Sequence, residues 1–112
     1  MSDLINTDKQ DKITKKDERK RTRELNDIRK VLSSAEGRRI FWKVLSHAGL
    51  YKSSFTGNSN TFYLEGKRSE GLYWLDELMQ ADSHAFAQMQ SEHYSEAKSD
   101  QLQQEKEEKE NA

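Results

Sequence analysis

Large apolar residues recur at intervals of three and four between Leu25 and Met89 and are sparse on either side of that stretch. This pattern predicts helices in the middle of the chain and solvated segments at its ends. Leu25, Ile28 and Leu32 stand at i, i+3 and i+7, the single apolar stripe of a first core helix. That helix is expected to stop at Ser33-Ser34. Ser33 and Glu36 have the S-x-x-E spacing in which each side chain satisfies a free backbone N–H of the other at a new helix start. Ile40, Phe41, Val44, Leu45 and Ala48 then give a second helix a broad apolar face. Trp42 lies off the centre of that face, and Gly49 is placed for a left-handed C-cap.

The stretch YKSSFTGNSN from Tyr51 to Asn60 breaks the periodicity, and Gly57-Asn58 suits a tight turn that needs positive φ. A third helix follows from Ser59 or Asn60 to Gln80. Leu64, Leu72, Leu75, Leu78 and Met79 keep its helical spacing, and Phe62, Tyr63, Tyr73 and Trp74 widen the face. Gly66 and Gly71 each weaken a helix by about 1 kcal/mol relative to alanine, so they imply close backbone packing or a bend. Asp82 can cap a fourth helix, with Ala85, Phe86, Met89 and His93 as a narrow stripe. The fold class is therefore all-α, a small three- to four-helix domain with charged, partly disordered or extended-helical termini. The chain divides into a basic arm (1–24), a helical domain (25–93, core about 28–80) and an acidic tail (94–112).

Composition sharpens the division. Of 112 residues 35% are charged and 32% hydrophobic, so any core is small and its stability is on the order of a few kcal/mol. The formal net charge of -1 conceals an asymmetry. Residues 1–30 carry ten Lys/Arg against seven Asp/Glu, residues 31–81 six against five, and residues 82–112 three against eight. There is no cysteine, which excludes disulfides and thiolate metal sites, and the three histidines are scattered. No run of 18 apolar residues suggests a membrane-spanning helix, and the polar start of the chain is unlike a signal peptide. Synthesis and retention in the cytoplasm are expected.

The block EGRRIFWKVLSHAGLYKSSFTGNSNTFYLEGKRSEGLYWL resembles a family of small podophage domain proteins of the type known from a Bordetella podophage. Gly37, Arg38, Arg39, Trp42, Gly49, the loop Ser53 to Ser59, Thr61, Phe62, Glu65, Gly66, Arg68 and Gly71 carry the likeness, which runs from Ile28 to about Leu78. The resemblance implies a tailed-phage protein encoded among capsid, portal and virion-assembly genes, and it implies no reaction and no ligand residues.

Candidate chemistry is thin elsewhere. Arg38, Arg39, Glu65 and Arg68 form a polar constellation that reads first as a salt-bridge network between neighbouring helices. If the guanidinium groups face outward with Lys67, they can hold phosphate or a partner carboxylate. Phe55 either plugs the end of the core or anchors a partner. The arm from Lys12 to Arg23 has seven basic residues (Lys12, Lys15, Lys16, Arg19, Lys20, Arg21 and Arg23) against Asp17 and Glu18, a charge that can contact phosphate backbone by counterion release. The loop serines lack a phosphate-loop pattern, His47 is a lone imidazole, and Glu65 and Glu70 diverge on their helix, so no catalytic residue, metal site or cofactor is expected. The reading is a virion structural or assembly protein, located in the particle after synthesis in the host cytoplasm. It binds other virion proteins (capsid, portal, tail or internal) through Arg38, Arg39, Trp42, Tyr51, Phe55, Arg68 and Trp74, with scope for a homo-oligomer and weak DNA contact. The alternatives are a DNA-associated internal or ejected protein using the basic arm, and a small non-enzymatic regulator of a host protein.

Overall fold

A computed structural model describes residues 2–50, 53 and 55–111. The described residues form four helices and no strand: α1 (Ser2–Leu32), α2 (Ala35–His47), α3 (Asn60–Ala81) and α4 (Ala85–Glu110). Both charged ends are helical continuations of the domain.

The core sits where the end of α1, the middle of α2, the end of α3 and the start of α4 converge. Leu32, Leu45, Leu78, Ala85 and Met89 form its buried cluster, and Ile28, Phe41, Trp42, Leu50, Leu75 and Phe86 pack around it. The first-helix stripe therefore points inward as the spacing predicts. On α2 the inward stripe is narrower than expected. Phe41 and Leu45 face the core, whereas Ile40 and Val44 are 64% and 48% exposed. Each lies one residue, about 100°, away from the inward position, and no helix covers that side. Leu72 and Met79, expected in the core from their α3 spacing, are likewise exposed.

The turns are set by small residues. Ser34 rather than Ser33 caps α2, its hydroxyl accepting the Gly37 N–H at 3.0 Å. Ser33 Oγ instead donates back to the Lys30 carbonyl, so the expected Ser33–Glu36 box does not form. A Cβ on Gly37 would stand 1.8 Å from the Val31 carbonyl oxygen, so only glycine lets the two helices reverse this tightly. Gly49 ends α2 at φ +75, the left-handed position foreseen for it. Gly71 is a close-packing glycine, since its Cβ would meet that of Ala48 at 2.6 Å, while Gly66 faces open space. Between α3 and α4, Asp82 Oδ1 accepts the His84 N–H. Asp82 thus orders the turn from three residues before the start of α4, and His84 occupies the capping position without a side-chain bond. Arg29 Nε donates to the Ala81 carbonyl and ties the end of α3 to α1.

The molecule measures 87 × 40 × 15 Å, with a radius of gyration of 21.5 Å against about 13 Å for a compact chain of this length. At 1.5 Å per residue α1 and α4 are about 46 and 39 Å long, so a length of 87 Å sets them nearly end to end. The core lies between two single-helix extensions that leave it in opposite directions.

Candidate protein-docking surface

Because α2 buries only one stripe, its next apolar row is left beside α1 and α3. Val31 from α1, Ile40, Phe41 and Val44 from α2, and Trp74 from α3 line one open groove of about 350 Å³. Four of the five are substantially exposed: Val31 46%, Ile40 64%, Val44 48% and Trp74 38%. Trp74 is braced edge-on by Phe41 and Tyr73, with ring centroids 6.3 and 5.3 Å away. A rigid aromatic wall beside flexible aliphatic side chains suits a partner's apolar side chain, and contiguous patches of this kind mark interaction sites.

The groove continues along α1 and α3 into a second hollow lined by Ile28, Tyr73, Trp74, Glu77 and Arg21, among others. Arg21 forms an ion pair with Glu77, whose residue is 8% exposed, and donates to Gln80 at 2.9 Å. The Arg21 guanidinium, with help from the Tyr73 hydroxyl and against the effect of burial, holds the Glu77 carboxyl below its ordinary value. The same hydrogen bond to Glu77 pushes the Tyr73 phenol up. This ionic joint locks α1 onto α3 at the edge of the groove.

The polar constellation expected from the sequence is divided between helices. Arg38 Nε binds Glu92 of α4 at 2.8 Å and its Nη1 binds the Leu32 carbonyl at 2.9 Å, a clamp across α1, α2 and α4. Arg39 pairs with Glu36 at 3.8 Å and Arg68 with Glu65 at 3.6 Å, each within its own helix. Trp42 is half-buried and stacks on Phe86 and His93 at 6.0 and 4.9 Å. It forms, with Arg38, Arg39, Met89, Glu92, His93 and Glu96, a separate cleft of about 230 Å³. Phe55 is 78% exposed and does not plug the core. Tyr51 lies outside the described residues. In the loop, Thr56 Oγ1 bonds to Asn58 Oδ1 and Thr61 Oγ1 at 2.9 and 2.8 Å, and Asn58 Oδ1 accepts the Asn60 N–H at 2.9 Å. These polar groups shape the turn by bonding to one another.

Of the basic-arm residues, Arg21 is engaged with Glu77, whereas Lys12, Lys15, Lys16, Arg19, Lys20 and Arg23 are exposed along α1. Among the described residues no group of three His, Asp or Glu side chains is placed to hold a metal ion. Among the described residues no helix is long and apolar enough to cross a membrane.

The profile of the Bbp19-like phage proteins matches residues 28–91, more than half of the chain. The chain belongs to that family. No curated protein and no solved structure matches it. The Bbp19-like segment contains every residue of the buried core and runs past Leu78 into α4. It also contains the whole groove, whereas most of both extensions lies outside it. The resemblance read from the sequence is thus to the right family, and this is a phage protein with an all-helical fold.

Proposed function

We propose that this Bbp19-like protein is a non-enzymatic structural or assembly component of a phage particle, docking on another virion protein through the Val31–Ile40–Val44–Trp74 groove. The observation that carries the reading is the groove itself: a contiguous apolar surface framed by three helices of the family-matched domain and left uncovered. A domain with so small a core gains by covering such a surface, because apolar area removed from water contributes about 25 cal/mol per Å². Trp74 supplies the aromatic anchor that such interfaces favour. Phe55, exposed on the loop between α2 and α3, and the surface arginines Arg39 and Arg68 offer further contacts outside the groove. Capsid, portal, tail and internal proteins of the particle are the partner class, and the site of action is the virion after synthesis in the host cytoplasm.

The test is quantitative mass spectrometry of purified particles and assembly intermediates from phage carrying wild-type or Ile40→Glu/Val44→Glu protein. A fixed copy number for the wild type and loss of the variant, with its helical circular dichroism unchanged, supports the reading. Absence of the wild type from every particle, or equal incorporation of both, overturns it.

A further inference from the structure

Each extension carries one continuous row of like charge, beside other charged residues that lie off the row (Lys15 and Lys20 on α1, Glu105 and Glu108 on α4). On α1, Lys9, Lys12, Lys16, Arg19, Arg23 and Lys30 recur at alternating steps of three and four, with Asn26 filling the one gap. A repeat averaging 3.5 residues keeps such a row on one side of a helix. All six are exposed, on the side of α1 away from Ile28 and Leu32, which face the core. On α4, Glu96, Asp100, Gln103, Glu107 and Glu110 recur at four and three and are also exposed. This row continues the face on which Ala85 and Met89 enter the core. Past the core that face meets no other helix, and acidic side chains replace the apolar ones.

We propose that the basic stripe of α1 docks along the acidic stripe of α4 from a second copy of this chain, joining molecules head to tail. The two rows have opposite sign and the same spacing, and the Lys12–Arg23 part of the basic row is close in length to the acidic row. Lys12 to Arg23 spans about 16 Å and Glu96 to Glu110 about 21 Å at the helical rise. Lys12 to Arg23 holds seven basic against two acidic residues, with only Arg21 of the seven taken up by α3, and residues 94–110 hold six acidic against three basic. They cannot meet within one molecule, because α1 and α4 leave the core in opposite directions over its 87 Å length.

Each extension also gains from a neighbour. Single helices of this length without packing are marginal in water. Glu107, Glu108 and Glu110 stand at the C-terminal end of α4, where the negative pole of the helix dipole opposes them, and a basic helix alongside relieves that repulsion. Nucleic acid could engage the α1 stripe but would leave the α4 stripe uncovered and repelled by phosphate. A second copy covers both. The contact is heterologous, one neighbour for the arm and another for the tail, so it closes into a ring or grows as a chain. It uses surfaces other than the groove and stands or falls independently of the proposed function.

Light scattering of the full chain tests it. In about 0.05 M NaCl the mass should exceed twice that of the monomer, and in about 0.5 M NaCl the association constant should fall at least tenfold. Lys12→Glu/Lys16→Glu/Arg19→Glu/Arg23→Glu on one stripe, and Glu96→Lys/Asp100→Lys/Glu107→Lys/Glu110→Lys on the other, should each give monomers. Their equimolar mixture should associate again, because each reversed stripe then finds its complement. Ile40→Lys in the groove should associate as the wild type does. A monomeric wild type at low salt overturns the proposal, as does association that survives either reversal or a mixture that stays monomeric. Duplex DNA that binds the wild type at low salt and holds it as a monomer also overturns it, by assigning the α1 stripe to nucleic acid.

Discussion

Replacing Leu45 and Ile40 by alanine, one at a time, separates the buried face of α2 from its exposed one. The two positions lie on the same helix and differ mainly in surroundings: Leu45 is 2% exposed and belongs to the core cluster, whereas Ile40 is 64% exposed. Truncating a buried leucine costs about 2–5 kcal/mol, the lost transfer energy plus the cavity left behind. For Ile40, only about a third of the roughly 1.5–3 kcal/mol of full burial is at stake. Alanine's better helix propensity returns about 0.4 kcal/mol of that. The expected net change at Ile40 is about 0.5 kcal/mol or less.

A core of this size supplies about 3–5 kcal/mol in all, so Leu45→Ala removes most of the stability. Urea unfolding followed by far-ultraviolet circular dichroism, in enough salt to suppress association, reads both variants. With a slope of about 1 kcal/mol per molar urea, Leu45→Ala should lower the midpoint by about 2 M or abolish the transition. Ile40→Ala should stay within about 0.5 M of the wild type. Equal losses at the two sites would show that Ile40 is packed as the sequence pattern suggests, and would refute both the core described above and the open groove.

Acid should loosen the joint between α1 and α3. The folded state holds the Glu77 carboxyl below its ordinary 4.5, so the unfolded chain binds its proton first as pH falls. The stabilisation is complete above about pH 4.5 and is lost as pH drops through the folded value. Melting curves of the wild type should fall in that window, and Glu77→Gln should flatten the fall; an identical acid profile for the two would rule the joint out as its source. Tyr73 gives the opposite limb, since its raised phenol value makes stability decline as pH climbs above 10. At the glycines, Gly37→Ala should cost more than about 2 kcal/mol by forcing a Cβ against the Val31 carbonyl. Gly66→Ala, which meets nothing within 4 Å, should stabilise α3 by about 0.5–1 kcal/mol. Denaturation midpoints moving in the same direction at both glycines would contradict that contrast.

The helices were legible because apolar spacing, small-residue turns and Gly49 all pointed the same way, and the boundaries of α2 and α3 follow. The direction of each apolar row was less so. Ile40 and Val44 fit a helical face as well as Phe41 and Leu45 do, and only the number of helices available to cover α2 decides which row is buried. The same limit applies to Leu72 on α3, a helix apolar on several sides. Ser33 and Ser34 are both capping residues by type, and the close approach of Gly37 to Val31, a tertiary fact, selects Ser34. Phe55 could be read either way from composition, and its exposure excludes the core plug. Arg38 stands beside Arg39 in sequence yet reaches Glu92, 54 residues on. Helical spacing cannot register such a contact, nor the joint between Arg21 and Glu77.

The end-to-end placement of α1 and α4 gives the protein an electrical polarity that its net charge of -1 hides. The positive pole of the α1 backbone lies at the outer end of the basic extension, and the negative pole of the α4 backbone at the outer end of the acidic one, so side-chain and peptide dipoles add along one axis. At neutral pH such a molecule should adhere to a cation exchanger by its basic arm and to an anion exchanger by its acidic one. It should also turn to align with the field of any large charged surface before touching it.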